Sequence, residues 1–111
     1  MSDPWFSPLD TINYYEKMSR ENGAMDKIKI WSRLFLVPGM GHCQGGAATV
    51  DSFDMLTAIV NWVENGKAPD SVVARTRTQP TRMRPLCAYP SYAAYSGQGD
   101  PQNAANFVCR E

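Results

Sequence analysis

The sequence has no surplus of either charge: 11 Lys and Arg balance 11 Asp and Glu in 111 residues. Without a basic excess to neutralise a phosphate backbone, nucleic acid is not expected as a main partner. No apolar run approaches the roughly 18 residues that a membrane-spanning helix needs, so no membrane partner is expected either. The opening Met1-Ser2-Asp3-Pro4 lacks the charged start and apolar core of a signal peptide. There is one histidine, His42, and the three cysteines Cys43, Cys87 and Cys109 show no C-x-x-C spacing, which leaves a zinc or thioredoxin-like reading without support. No G-x-S-x-G occurs, and none of the eight serines sits in a strand–turn–helix elbow. The glycine-rich stretch after Pro38 fails as a phosphate loop: Gln44 stands where G-x-G-x-x-G needs glycine, and Gly46 is followed by Ala47-Ala48 rather than Lys and Ser/Thr.

What is present is a globular composition, 43% hydrophobic and 20% charged, of a size for one small domain or a piece of a larger one. A helix is expected from about Leu9 to Glu21, with Ser7 as N-cap, Pro8 at the first helical position and Asp10 in the first turn; Leu9, Ile12, Tyr15 and Met18 form its apolar stripe. The run Arg33-Leu-Phe-Leu-Val37 suits a short strand buried on both faces, as in a parallel sheet, and Pro38-Gly39 end it. A loop with four glycines between Gly39 and Gly46 follows, then a second helix from about Ser52 to Glu64, capped by Asp51 or Ser52 and stopped at Asn65-Gly66. Val72–Arg77 could form a short strand, and the stretch from Gln79 to Glu111, interrupted by Pro80, Pro85, Pro90 and Pro101, reads as a loop-rich tail. The order helix, buried strand, glycine loop, helix predicts an α/β architecture.

In open α/β sheets the functional groups gather where strand ends run into loops. His42 stands five residues after Val37, in such a position, where an imidazole can relay a proton near neutral pH. Asp3 precedes the first helix. As an Asp-Pro pair it suits a turn; as a partner to His42 it could hold an imidazole in one tautomer. The order Asp3 then His42 fits the last two members of the Ser…Asp…His order of α/β-hydrolases. Asp51, Asp54 and Glu64 read as capping and solvent-facing residues, and Arg75, Arg77, Arg82 and Arg84 as a solvated loop face. Cys87 and Cys109 bracket a poorly patterned segment that a covalent tie would help; all three cysteines could equally be free thiols in a reducing compartment.

The string Arg33-Leu-Phe-Leu-Val-Pro-Gly-Met-Gly-His42-Cys43, followed by Gly45-Gly46, Phe53-Asp-Met-Leu-Thr-Ala and Trp62-Val-Glu-x-Gly66-Lys-Ala-Pro-Asp, resembles the tannase/feruloyl esterase family. So do Ser2-Asp3-Pro4-x-x-Ser7-Pro8, Arg84-Pro-Leu-Cys87 and Asn103-Ala-Ala-Asn-Phe-Val-Cys109, and the resemblance runs over essentially the whole chain. It implies that residues 1–111 are the C-terminal part of an α/β-hydrolase catalytic domain, with nucleophilic serine and lid absent from this chain and Met1 an internal methionine. It implies His42 as catalytic base, Asp3 as triad acid, a Cys87–Cys109 disulfide, and a disulfide from Cys43 to a cysteine beside the absent serine. The substrate implied is an aromatic-acid ester of feruloyl or galloyl type. The partner is the remainder of a secreted or periplasmic parent, and no cofactor is expected in this chain, the family's calcium ion belonging to the lid. A catalytically inert interaction module derived from that fold is the alternative.

Overall fold

A computed structural model describes residues 3–111. The first helix, α1, spans Pro8–Glu21, with Pro8 in its first turn, where the missing N–H costs nothing. Ser7 has the extended backbone of an N-cap but makes no side-chain cap bond. The inward face is not the expected stripe. Tyr15 and Ser19 are buried and Ile12 is half-buried, whereas Leu9 is exposed. The single helical turn α2, Met25–Ile28, follows and places the fully buried Ile28 beneath the neighbourhood of α1. Ala24, at φ 91°, makes the turn between the two helices.

The second long helix, α3, spans Met55–Asn65, three residues later than expected at its start. Asp54 caps it, its carboxylate accepting from the Thr57 backbone N–H at 2.9 Å and from the Thr57 hydroxyl at 2.7 Å. That local pair, rather than Asp51 or Ser52, decides where the helix begins. Gly66 ends it in the left-handed conformation. No residue of α3 is buried, and Leu56, Ile59, Val60 and Val63 are all exposed.

Four strands follow: β1 Ser71–Arg75, β2 Met83–Cys87, β3 Tyr92–Tyr95 and β4 Phe107–Arg110, with a 3-10 turn Ala104–Asn106 before the last. They form two antiparallel pairs, β1 with β2 and β3 with β4. The segment after Gln79 is therefore not merely a loop-rich tail, and among the described residues no strands pair in parallel. Its strands are only four or five residues long and carry Pro85 and small residues, so their ladders are set by distant partners rather than by local alternation. The 33–37 run is extended but makes a single bridge, Phe35 opposite Ala88, with the Tyr89 N–H donating to the Leu34 carbonyl at 2.8 Å. Its residues are half-buried rather than enclosed, because only one edge has a partner.

The central core is small. Val50, Ala74 and Leu86 are buried together, with Phe35, Val37, Phe53 and Met55 packed against them. Cys87, at the end of β2, is bonded to Cys109 on β4, with Cα atoms 5.7 Å apart. The bond ties one antiparallel pair to the other and closes a separation of 22 residues. On the chain-entropy account a loop of that size contributes about 3 kcal/mol of stability. Replacing both cysteines by serine should lower the unfolding free energy by about that amount, measured by urea denaturation. An unchanged midpoint would show that the two pairs hold together without the bond.

Candidate active site

The site begins in a turn. Asp3 uses one carboxylate oxygen, Oδ1, to accept from its own downstream backbone, the N–H groups of Trp5 at 2.8 Å and Phe6 at 3.2 Å. This is the Asx-type turn that an Asp-Pro start favours. The second oxygen, Oδ2, lies 2.9 Å from His42 Nδ1. The turn and the imidazole contact are thus made together by one carboxylate, each through its own oxygen. An ionised carboxylate can only accept, so Nδ1 carries the proton in this contact and donates it. Nε2 of the neutral ring is left as an acceptor. The Phe6 ring stands over the imidazole, with centroids 5.6 Å apart and planes tilted by 34°.

His42 is held by a narrow loop. The Gly41 N–H donates to the Gly45 carbonyl at 2.8 Å, which closes a turn around His42, Cys43 and Gln44. Gly46, at φ 137°, lies against the Gly39 carbonyl so closely that a Cβ there would collide with it. Glycine is required at that point for space as well as for backbone angle. The imidazole is about half exposed, at 47%, and the Asp3 carboxylate less so, at 23%. Cys43 is a free, exposed thiol next to the imidazole in sequence.

Asp51 is a site-region residue that sequence reasoning misassigned. It is not a helix cap but a buried carboxylate, 8% exposed, that accepts from the Gly45 N–H at 2.9 Å and faces Arg77 Nε at 3.4 Å. No local pattern could have signalled this, because the contacts run 6 and 26 residues along the chain. The arginines also differ from a plain solvated face. Arg82 donates to Gln102 Oε1 at 3.0 Å, and the Arg84 guanidinium sits 4.3 Å from the Phe107 ring centre. Elsewhere the Tyr89 hydroxyl donates to Glu16 at 2.5 Å, and that hydrogen bond, with burial second, raises the phenol above its ordinary value. A concavity of about 590 Å³ runs between the 31–40 segment and α3, lined by Trp31, Phe35, Met40, Met55 and Trp62; His42 does not line it. Among the described residues no group of three or more His, Cys, Asp or Glu side chains could hold a metal ion.

The Asp3 carboxyl is held below the ordinary aspartate value of 3.8, first by the Trp5 backbone N–H and further by the His42 and Phe6 hydrogen bonds, against a smaller opposing effect of desolvation. A carboxyl lowered on folding gives its stabilisation in full above the unfolded-chain value and loses it as pH falls through the lower folded value. The Asp3–His42 contact should therefore survive acidification to pH 3.8 and weaken only below it. Titration of the Asp3 carboxyl carbon by NMR should give a midpoint below 3.8 that moves upward in His42→Ala, and a midpoint unmoved by that change would contradict the contact.

Comparison with known proteins places the chain in a family. The family description "Tannase and feruloyl esterase" matches residues 1–110. A mono(2-hydroxyethyl) terephthalate hydrolase of Piscinibacter sakaiensis is 51% identical over 114 residues, covering 98% of this chain and 18% of that protein. A probable feruloyl esterase of Arthroderma benhamiae is 33% identical, over 98% of this chain and 21% of its own length. Among solved structures, feruloyl esterase B from Aspergillus oryzae superposes with a TM-score of 0.84 at 25% identity, covering 97% of this chain and 25% of that one. The chain thus spans about a fifth of the length of the curated relatives it matches. With the match running from the Asp3 turn through the His42 loop to the β4 cysteine, the chain belongs to the tannase and feruloyl esterase family.

Proposed function

We propose that this chain supplies the base and the orienting acid of a serine ester hydrolase, with the nucleophilic serine carried by polypeptide outside these 111 residues. The observation that carries the reading is the 2.9 Å contact between His42 Nδ1 and Asp3 Oδ2. In such a hydrolase Nε2 of His42 takes the serine hydroxyl proton as the oxygen attacks the ester carbonyl, and returns it to the departing alcohol. Asp3 keeps the proton on Nδ1 and stabilises the imidazolium that forms in between. Its two backbone N–H partners keep it ionised and aimed while it does so.

The fold this implies is the C-terminal portion of an α/β-hydrolase. The exposed apolar side of α3 and the unpaired edge of the 33–37 run are then surfaces that the remainder of the hydrolase covers. Cys43 is exposed and unpaired in this chain; in the complete hydrolase it bonds a cysteine next to the serine, locking the nucleophile loop to the base loop. The substrate is an aromatic-acid ester of feruloyl or galloyl type. The family description "Tannase and feruloyl esterase" and the names of relatives, a probable feruloyl esterase and a mono(2-hydroxyethyl) terephthalate hydrolase, support that reading. The calcium ion that the family resemblance implies finds no cluster of ligands among the described residues, and no step of this chemistry runs through it. The parent is secreted or periplasmic, a setting in which the Cys87–Cys109 and Cys43 bonds persist.

The test is reconstitution. The 111-residue chain alone should not hydrolyse methyl ferulate, and activity should appear when the serine-bearing segment is supplied in one polypeptide. His42→Ala should abolish that activity, and Asp3→Asn should lower kcat by about 10⁴-fold, as loss of the orienting acid does in serine proteases. Reduction of the Cys43 bond should lower it too. His42-dependent turnover by the isolated chain would contradict the assignment, because it would require a nucleophile within this sequence.

A further inference from the structure

Asp3 fixes the orientation of the His42 ring, but it does not fix where the backbone of His42 stands. That task falls to the turn closed by the Gly41 N–H on the Gly45 carbonyl. This turn lies on the protein surface: Gly45 and Gly46 are exposed, and no hydrophobic side chain of their own anchors them. One polar contact ties the turn to the interior. The Gly45 N–H donates to Asp51 Oδ2 at 2.9 Å.

Asp51 is itself anchored at both ends. Its carboxylate is buried and faces Arg77 Nε at 3.4 Å, while Arg77 Nη2 donates to the Asp51 carbonyl at 3.3 Å. The next residue, Ser52, exchanges two backbone hydrogen bonds with Arg75 of β1, 3.0 and 2.9 Å long. The preceding residue, Val50, is in the central core. A chain of contacts therefore runs from the β1 ladder through Asp51 to Gly45, across to Gly41, and so to His42. A buried carboxylate is costly to keep unless its partners are good, and the Oδ2 of this one serves both Arg77 and the Gly45 N–H, the turn's one hydrogen bond to the interior among the described residues.

We propose that Asp51 is a positioning residue for His42: it sets the height of the 41–45 turn above β1, and with it the place from which Nε2 reaches the serine. The proposal deepens the hydrolase reading above and rests on it for its kinetic consequence. Replacing Asp51 by alanine frees the Gly45 N–H and leaves Arg77 to solvent, so the turn drifts. Because base-to-nucleophile geometry enters the rate of the chemical step steeply, a displacement of about 1 Å costs on the order of 100-fold.

The test uses the complete hydrolase, with rates normalised to folded protein by circular dichroism. Asp51→Ala should lower kcat for methyl ferulate by about 10- to 100-fold with KM changed by less than about twofold. Asp51→Asn, which keeps an oxygen for the Gly45 N–H, should recover most of that loss. A role confined to stability predicts instead a lower yield of folded protein with wild-type kcat per folded molecule, and that result would overturn the proposal. So would equal impairment by both variants, or an effect confined to KM. If Asp51→Ala does not fold, Arg77→Met decides the matter by the same kcat-against-KM readout. If the wild-type hydrolase is inactive, the hydrolase reading fails separately. Asp51 is then judged by amide exchange at Gly41 and Gly45, which should accelerate in Asp51→Ala, or in Arg77→Met where Asp51→Ala does not fold. Unchanged exchange would overturn the proposal.

Discussion

The antiparallel ladder between β1 and β2, plugged by Val50, Ala74 and Leu86, is the constraint on which the other parts depend. Ala74 is 1% exposed, and its small side chain lets the flanking segments close over the sheet from one side. From this ladder the chain reaches out in three directions. Ser52 bridges Arg75 and fixes the approach to α3. Ala88, just past β2, receives the Phe35 bridge and so holds the segment that leads into the glycine loop. Cys87 carries the second antiparallel pair through its bond to Cys109. Because all three start from this small core, loss of packing at Leu86 would loosen them together, as a large-to-small change there costs about 2–5 kcal/mol.

The Asp3–His42 pair is built from polar contacts rather than burial. Both side chains remain partly exposed, and the Trp5 backbone N–H outweighs desolvation in the titration of Asp3. The geometry divides the work between two carboxylates. Asp3 acts on the imidazole directly, from a turn at the start of the chain, while Asp51 acts on the loop that carries it, from beside β1. In the proposed hydrolase one carboxylate would govern ring orientation and the other backbone position, two requirements that general-base chemistry makes separately.

The legible parts of the sequence were those with local causes. α1 could be read from Pro8 and from Asp10 in its first turn, and α3 from its Asn65-Gly66 stop, although its start lies three residues late because Asp54 and Thr57 form the cap pair. The features that were missed are those made across distance. The 33–37 run has the composition of a buried strand but finds only one bridge, because no described segment lies along its other edge. The strands after Gln79 carry proline and small residues, and only their partners across the ladders make them strands. Asp51 has the local look of a cap, and only the loop lying above it reveals another use. The Asp3–His42 pairing lies between these cases: no local rule joins residues 39 apart, and it was the motif around each of them that suggested they meet.

The central claim is that His42 presents an unprotonated Nε2 because Asp3 holds the proton on Nδ1. The most direct measurement is the two-bond ¹H–¹⁵N correlation spectrum of the His42 ring in the neutral form, which distinguishes the two tautomers by their nitrogen shifts. The account predicts a dominant Nδ1–H tautomer that shifts toward a mixture in Asp3→Asn. A dominant Nε2–H tautomer in the wild-type protein, unchanged by Asp3→Asn, would contradict it.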